Sequence, residues 1–351
     1  MILKLNDIDL NKLDELFNTD ECNKVFADFV LDYIDNAKEI ANKYSGNLYD
    51  SIVKFFEVSD DFIYYFKRHN LKESIVKLDV NEYINNPYNK NINLENITDG
   101  AYKFEYQKFL PYEGFLIQDI SADENFVEHT NIGYFDKEYK YLTLSHNNNI
   151  WMLITPHEIN TMKDAINNAS GDVVTFGLGL GYFAYMCSIK ENVSKVTIVE
   201  KDENIIKLFN KHILPQFEHK EKINIICDDA INYCNKHFTH NYAFVDLWRD
   251  TNDGLELYLK MKLASRVHLN TKFEYWIEDA MIQIVRRAMI TMFYEVINDI
   301  HIQEENCFFD HVVNKLHELY KITPIMSYDG IENVLSRQKI KYIIDIIAGE
   351  I

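Results

Sequence analysis

The chain is short of positive charge, of glycine and of any long uncharged run. It has 36 Lys and Arg against 55 Asp and Glu, a formal net charge of −19 over 351 residues. A surface that releases counterions from phosphates needs clustered Lys and Arg, and none is evident. The balance therefore argues against RNA or DNA as partner and for a small or cationic molecule. The cysteines, at 22, 187, 227, 234 and 307, form no CxxC pair, and the 12 histidines show no metal-ligand spacing. Neither a disulfide framework nor a metal site is expected, and the thiols read as reduced. The first residues, MILKLNDIDLNKLDELF, are acidic and amphipathic and lack the charged start and apolar core of a secretory signal, so a cytoplasmic protein is expected. The uncharged run Val173–Ile189 is 17 residues long, the short edge of what a membrane helix needs. Three alternating glycines would weaken such a helix near its start, so strand, turn and helix fit it better and no membrane span is expected.

What is present is the composition of a folded chain, 47% hydrophobic and 14% aromatic, which excludes disorder for the bulk of it. Single cores stop growing near about 250 to 300 residues, so two or three modules are expected. The first hundred residues read as helices, most clearly Asp20 to Tyr44, where Phe26, Phe29, Val30, Tyr33, Ala37 and Ile40 follow helical spacing. A second helical run goes from Asn47 to His69. The Asn-rich stretch 81–100 is polar and poorly periodic, and reads as a loop or linker. Between Glu113 and Thr155 the period moves towards two, with FLIQDI, then YKYLTLS and IWMLIT on either side of His146 to Asn149, which predicts a β-hairpin with an Asn turn.

From Val173 onwards short apolar strands alternate with amphipathic helices: strands at Val173–Phe176, Val196–Glu200, Ile223–Ile226, Tyr242–Asp246 and Phe273–Ile277. That alternation predicts an α/β fold, a Rossmann-like parallel sheet with helices on both faces. The remainder reads as helical. The predicted organisation is an α-helical N-terminal domain over 1–110, a β-hairpin bridge and helix over 111–168, the Rossmann-like domain over 169–280 and a helical C-terminal extension over 281–351.

Of the 11 glycines, Gly171, Gly177, Gly179 and Gly181 fall at the first strand-to-helix junction. A glycine run there lets the backbone take positive φ and approach a ligand, beside the unpaired N–H groups of a helix start. The arrangement is GxGxG, with Tyr182 where the dinucleotide fingerprint needs a third small residue. Glu200, at the end of the second strand, is spaced to accept both hydroxyls of a ribose; a helix-initiating acid is the competing reading, although Asp202 is the better cap. Asp229, just past the third strand, can take the exocyclic amine of adenine, with Ala230 leaving room for the ring; helix capping is its alternative, and Asp228 competes for the same part. Asp246, at the end of the fourth strand, can orient or deprotonate an amine or hydroxyl, with Trp248 as an apolar or cation–π wall and Asp250 close behind. A core Trp beside a surface ion pair is the other account.

These elements, in this order on successive strands, resemble class I S-adenosylmethionine-dependent methyltransferases over about Asp172 to Glu278. The resemblance implies that Gly177, Gly179 and Gly181 lie under the methionine part, that Glu200 holds the ribose and that Asp229 meets the adenine. The hairpin and helix ahead of the glycine loop, the DDA segment and the strand-four acid look more like the spermidine-synthase branch. Aminopropyltransferases there carry two acids three apart, whereas Asp246 and Asp250 are four apart. Thr175 stands where many family members place an acid, and no antiparallel strand pair follows Ile277, so the seven-stranded sheet is either truncated or completed by a segment such as YKITPIM.

Weaker signals remain. His157 and Glu158, at the start of the helix before the glycine loop, are candidates for a base and a substrate contact, or ordinary first-turn residues. Asn86-Pro87-Tyr88 reads as a turn. The expected activity is methyl transfer from S-adenosylmethionine to a small-molecule acceptor. Aminopropyl transfer to a polyamine is the alternative within the superfamily, and a non-catalytic cofactor-binding scaffold the alternative outside enzymes. The acceptor and the oligomeric state, a homo-oligomer included, stay open.

Overall fold

The computed structural model describes residues 2–44, 46–236, 239–302 and 307–349. At its centre is a sheet of five parallel strands: the first Gly171–Phe176, the second Val193–Glu200, the third Ile223–Cys227, the fourth Tyr242–Val245 and the fifth Lys272–Tyr275. Their spatial order is third, second, first, fourth, fifth. Val173 pairs with Val196 on one side and with Tyr242 on the other. The strands are apolar in continuous runs because both faces are covered: Val173, Val174, Val196, Ile198, Ala243 and Val245 are all fully buried. Covering helices include Tyr182–Ser188, Glu203–Leu208 with a π-helical turn Phe209–Ile213, Ala230–Cys234 and Thr251–Ser265. The chain leaves the first strand towards the second and later returns to its other side. That reversal opens a crevice at the carboxyl ends of the first and fourth strands.

No antiparallel pair extends this sheet among the described residues. The segment YKITPIM supplies Pro324–Ile325, which pairs in parallel with Ile2–Leu3 instead. After the fifth strand the backbone turns at Ile277, with φ 50°, directly into the helix Glu278–Asn298. That helix buries Met281, Val285, Ala288, Met289 and Met292 at three- and four-residue spacing, and so packs as core rather than continuing as strand. The helices Cys307–Leu319, Tyr328–Leu335 and Arg337–Ile347 complete the C-terminal part, the last two separated at Ser336.

The N-terminal helix is longer than its apolar spacing predicts, running Asp7–Lys43, because Asn6 caps it by accepting a hydrogen bond from Asp9 N (2.9 Å). The following helical run is two helices, Leu48–Phe55 and Asp60–Arg68, broken where Glu57 takes φ 49° and Ser59 begins a new cap. The Asn-rich stretch is not a linker. It holds the short helices Val80–Ile84 and Pro87–Asn91 and the strand Ile97–Asp99. Its asparagines make the bonds: Asn89 Nδ2 donates to Tyr139 Oη (3.0 Å), and Asn93 exchanges bonds with the Gln216 side chain. Strand Ile97–Asp99 joins Tyr102–Phe109, Tyr139–His146 and Asn149–Leu153 in an antiparallel sheet. Its hairpin turns at Asn147 and Asn148, both with positive φ (51° and 65°). Of FLIQDI only Phe115–Leu116 is strand, and it pairs with Ile132–Tyr134 rather than with the hairpin.

Candidate active site

A cavity of about 600 Å³ opens over the carboxyl ends of the first, second and fourth strands. Its floor is the glycine loop. Gly177 takes φ +97°, and a Cβ on it would stand 1.9 Å from the carbonyl oxygen of Asp246, so the loop lies against the fourth strand without room for a side chain. Gly179 takes φ +51°, and a Cβ there would meet nothing within 4 Å. Its open side faces the cavity, where a bound molecule can approach the backbone closely.

Glu200 fastens this loop. Its Oε2 accepts from Leu178 N (3.2 Å) and its Oε1 from Asp202 N (2.8 Å). Each carboxylate oxygen has two acceptor positions, so both remain able to take a hydroxyl from the cavity side. Asp202 is the cap of the helix Glu203–Leu208, accepting from Asn204 N. Asp229 caps the helix Ala230–Cys234, its Oδ1 accepting from Asn232 N (3.0 Å), and both Asp229 and Ala230 line the cavity. Asp228 also lines it, but its Oδ2 is paired with Lys236 and its Oδ1 accepts from Asp229 N.

At the inner end stands Asp246. Burial, followed by the negative charge of Glu158, pushes its carboxyl up to about 7. Glu158 is itself raised by burial. Its Oε2 accepts from the Thr155 N–H (3.1 Å) and from the Thr155 hydroxyl in a capping box, which fixes its direction. His157 lies behind the lining, with Nε2 3.2 Å from Asp119 Oδ1 and its ring edge-on to Trp276. Burial alone would lower the imidazole, but the hydrogen bond to Asp119 and the charges of Glu158 and Asp119 raise it overall.

Trp248 is 5% exposed, lines the cavity and donates from Nε1 to the carbonyl of Trp276 (3.2 Å). Asp250 is set apart: it is exposed at the start of the helix Thr251–Ser265, where Oδ1 accepts from Asp253 N, and it is outside the cavity lining. Arg249 and Asp253, which pair at 3.0 Å, face the cavity instead. Thr175 donates from Oγ1 to the Gly177 carbonyl (3.3 Å), tightening the turn.

Sequence reasoning passed over several lining residues. Trp151, Met152 and Leu153 of the hairpin form one wall, and Trp276 and Met162 contribute others. Tyr88 lies beneath the loop, its hydroxyl donating to the Leu180 carbonyl at 2.6 Å. The signal for Trp276 is its place near the end of the predicted strand Phe273–Ile277. Among the described residues no group of His, Cys, Asp and Glu is arranged to hold a metal ion, and no helix is long and apolar enough to cross a membrane.

The fold is Rossmann-like on its strand order, and the cavity occupies the ligand position of such sheets. No family model matches the chain, and the comparison with curated proteins gives no match. Among solved structures it is similar to a spermidine synthase in complex with the transition state analogue AdoDATO (13% identity, TM-score 0.30, covering 43% of this chain and 58% of that one). It is also similar to a probable spermidine synthase from Corynebacterium glutamicum (14%, TM-score 0.27, covering 45% and 59%). A third is Trm5 of Methanocaldococcus jannaschii in complex with adenosine (18%, TM-score 0.25, covering 34% and 36%). The chain thus spans less than two thirds of the length of each.

Proposed function

We propose that the protein is a transferase that moves a group, foremost a methyl group, from S-adenosylmethionine to a small-molecule acceptor. One observation carries the reading: the loop fastened by Glu200 and the carboxyl of Asp246, raised to about 7, face the same cavity at the point where strand order reverses. The residues fit an adenosyl cofactor. About 600 Å³ is within the range of small-molecule sites, the open side of Gly179 admits close backbone approach, and Glu200 is pre-oriented by two N–H donors.

S-adenosylmethionine would supply an electrophilic methyl carbon on its sulfonium. The chain's own residues then have four tasks. Glu200 accepts the ribose hydroxyls. Asp229, beside Ala230, accepts the adenine amine with its uncapped oxygen. Asp246 aligns the acceptor and takes its proton, a role suited to a carboxyl near neutrality. Trp151, Trp248, Trp276 and Met162 exclude water.

Aminopropyl transfer is the second reading, favoured by the surplus of acids around the cavity: Glu158, Glu200, Asp228, Asp229, Asp246 and Asp253 against Lys201 and Arg249. Such a surround suits a cationic amine. Incubation with S-adenosylmethionine and acceptor pools, and separately with its decarboxylated form and putrescine, distinguishes the two. S-adenosylhomocysteine in the first supports methyl transfer, and 5′-methylthioadenosine in the second supports aminopropyl transfer. Neither product in either mixture would overturn the transferase reading and leave a binding scaffold.

A further inference from the structure

Asn86, Pro87 and Tyr88 belong to the N-terminal part, yet they sit directly under the glycine loop. Asn86 caps the helix Pro87–Asn91, rather than standing in a simple turn, by accepting from Tyr88 N (3.0 Å), and Pro87 pre-sets its first backbone angle. Tyr88 is thereby aimed inward, 1% exposed, with its ring edge-on to Tyr182 and Tyr185 at 5.4 and 5.6 Å. Its hydroxyl donates to the Leu180 carbonyl at 2.6 Å, and Asn86 Nδ2 donates to the Tyr182 hydroxyl at 2.9 Å.

Leu180 lies between Gly179 and Gly181, both with positive φ. The peptide unit Leu180–Gly181 is held at both ends: its C=O by Tyr88 and its N–H by the Leu178 carbonyl at 2.9 Å. The unit turns about the ψ of Leu180 and the φ of Gly181, a glycine, so beside the bond made within the loop a group outside it is needed to hold the carbonyl. Tyr88 is that outside group, and the held unit lies next to Gly179 in the cavity floor.

We propose that Tyr88, supported by Asn86, is a positioning residue that locks the Leu180–Gly181 peptide and so sets the affinity of the cavity for its adenosyl ligand. This rests on the cofactor reading given above, and it makes the N-terminal segment part of the cofactor site rather than an appendage. The effect is pre-organisation: a loop already fixed loses less freedom on binding.

Tyr88→Phe removes only the hydroxyl. Tyr139→Phe is the control, because Tyr139 is equally buried but its hydroxyl meets Asn89 and not the loop. Two measurements are made on each protein: calorimetric titration of S-adenosylhomocysteine, and hydrogen exchange of the amides at 177–182 without ligand. Tyr88→Phe is expected to bind about five- to tenfold more weakly, the effect of one buried hydrogen bond, and to exchange faster in the loop. Tyr139→Phe is expected to change neither beyond about twofold, the factor set here as the experimental margin. Wild-type affinity in Tyr88→Phe, or an equal loss in the control, would overturn the proposal. If the wild type binds no adenosyl ligand, the cofactor reading fails; exchange then decides the brace, unchanged loop amides overturning it. Should Tyr88→Phe not fold, Asn86→Ser keeps the cap, removes the donor to Tyr182 and is subject to the same two readouts.

Discussion

A carboxyl group that exchanges its proton near neutral pH makes chemistry and stability pH-dependent together. Asp246 is raised from 3.8 to about 7, first by burial and then by Glu158. The folded chain therefore holds this proton between about pH 4 and pH 7 where the unfolded chain has released it, and stability falls as pH rises through that window. Asp246→Asn removes the titration. The melting temperature of the wild type is expected to drop more between about pH 5 and pH 8 than that of the variant, and equal drops would contradict the assignment. A second residue-scale expectation concerns light. The chain has 3 tryptophans, Trp151, Trp248 and Trp276, and all of them line the cavity. Titration with S-adenosylhomocysteine is expected to change their emission, with NAD as a control that does not; unchanged emission at ligand saturation would place the ligand elsewhere. At this scale the sequence shows Asp246 because it ends the predicted fourth strand, and Trp248 because it follows two residues on. It does not show Trp151 or Trp276, since alternation in IWMLIT marks a strand without saying what its side chains face.

The glycine loop separates packing from binding. Gly179→Ala places its Cβ in open space at φ +51°, so it carries only backbone strain of roughly 1 to 2 kcal/mol and is expected to stay folded while binding adenosyl ligands more weakly. Gly177→Ala drives a Cβ to 1.9 Å from the Asp246 carbonyl, which forces the first and fourth strands apart. Its cost is expected to exceed about 3 kcal/mol. Thermal denaturation with calorimetry on both variants checks the contrast, and similar stabilities would refute it. The parallel strands are legible because burial on both faces leaves continuous apolar runs. The segment 81–100 was illegible for the opposite reason: its order comes from amide side chains such as Asn86, Asn89 and Asn91, which bond across the chain and leave no period. Two-residue pairings such as Ile2–Leu3 with Pro324–Ile325 carry too few residues to show a pattern at all.

On the scale of the whole molecule, one apolar core runs from Leu13 to Ala348 and joins the helical, hairpin and Rossmann-like parts. A smaller core, around Phe26, Tyr33 and Phe66, belongs to the N-terminal helices. Arg287, on the helix Glu278–Asn298, forms a bidentate pair with Glu128, which is 3% exposed and sits beside the N-terminal helix. Arg287→Met leaves that carboxylate buried without its partner, a loss of about 3 to 5 kcal/mol. Denaturant unfolding is expected to show that loss, and a change below about 1 kcal/mol would mean the pair behaves as an exposed one. The sequence does not show that these parts share a core, because the contacts joining them are distant in the chain. The central claim remains the adenosyl cofactor, and its most direct test is calorimetric titration of S-adenosylmethionine into the wild type and Glu200→Ala, with NAD as control. The account predicts wild-type binding, weakened about 10- to 150-fold by loss of the charged acceptor, and no NAD binding. No binding by the wild type, or undiminished binding by Glu200→Ala, would contradict it.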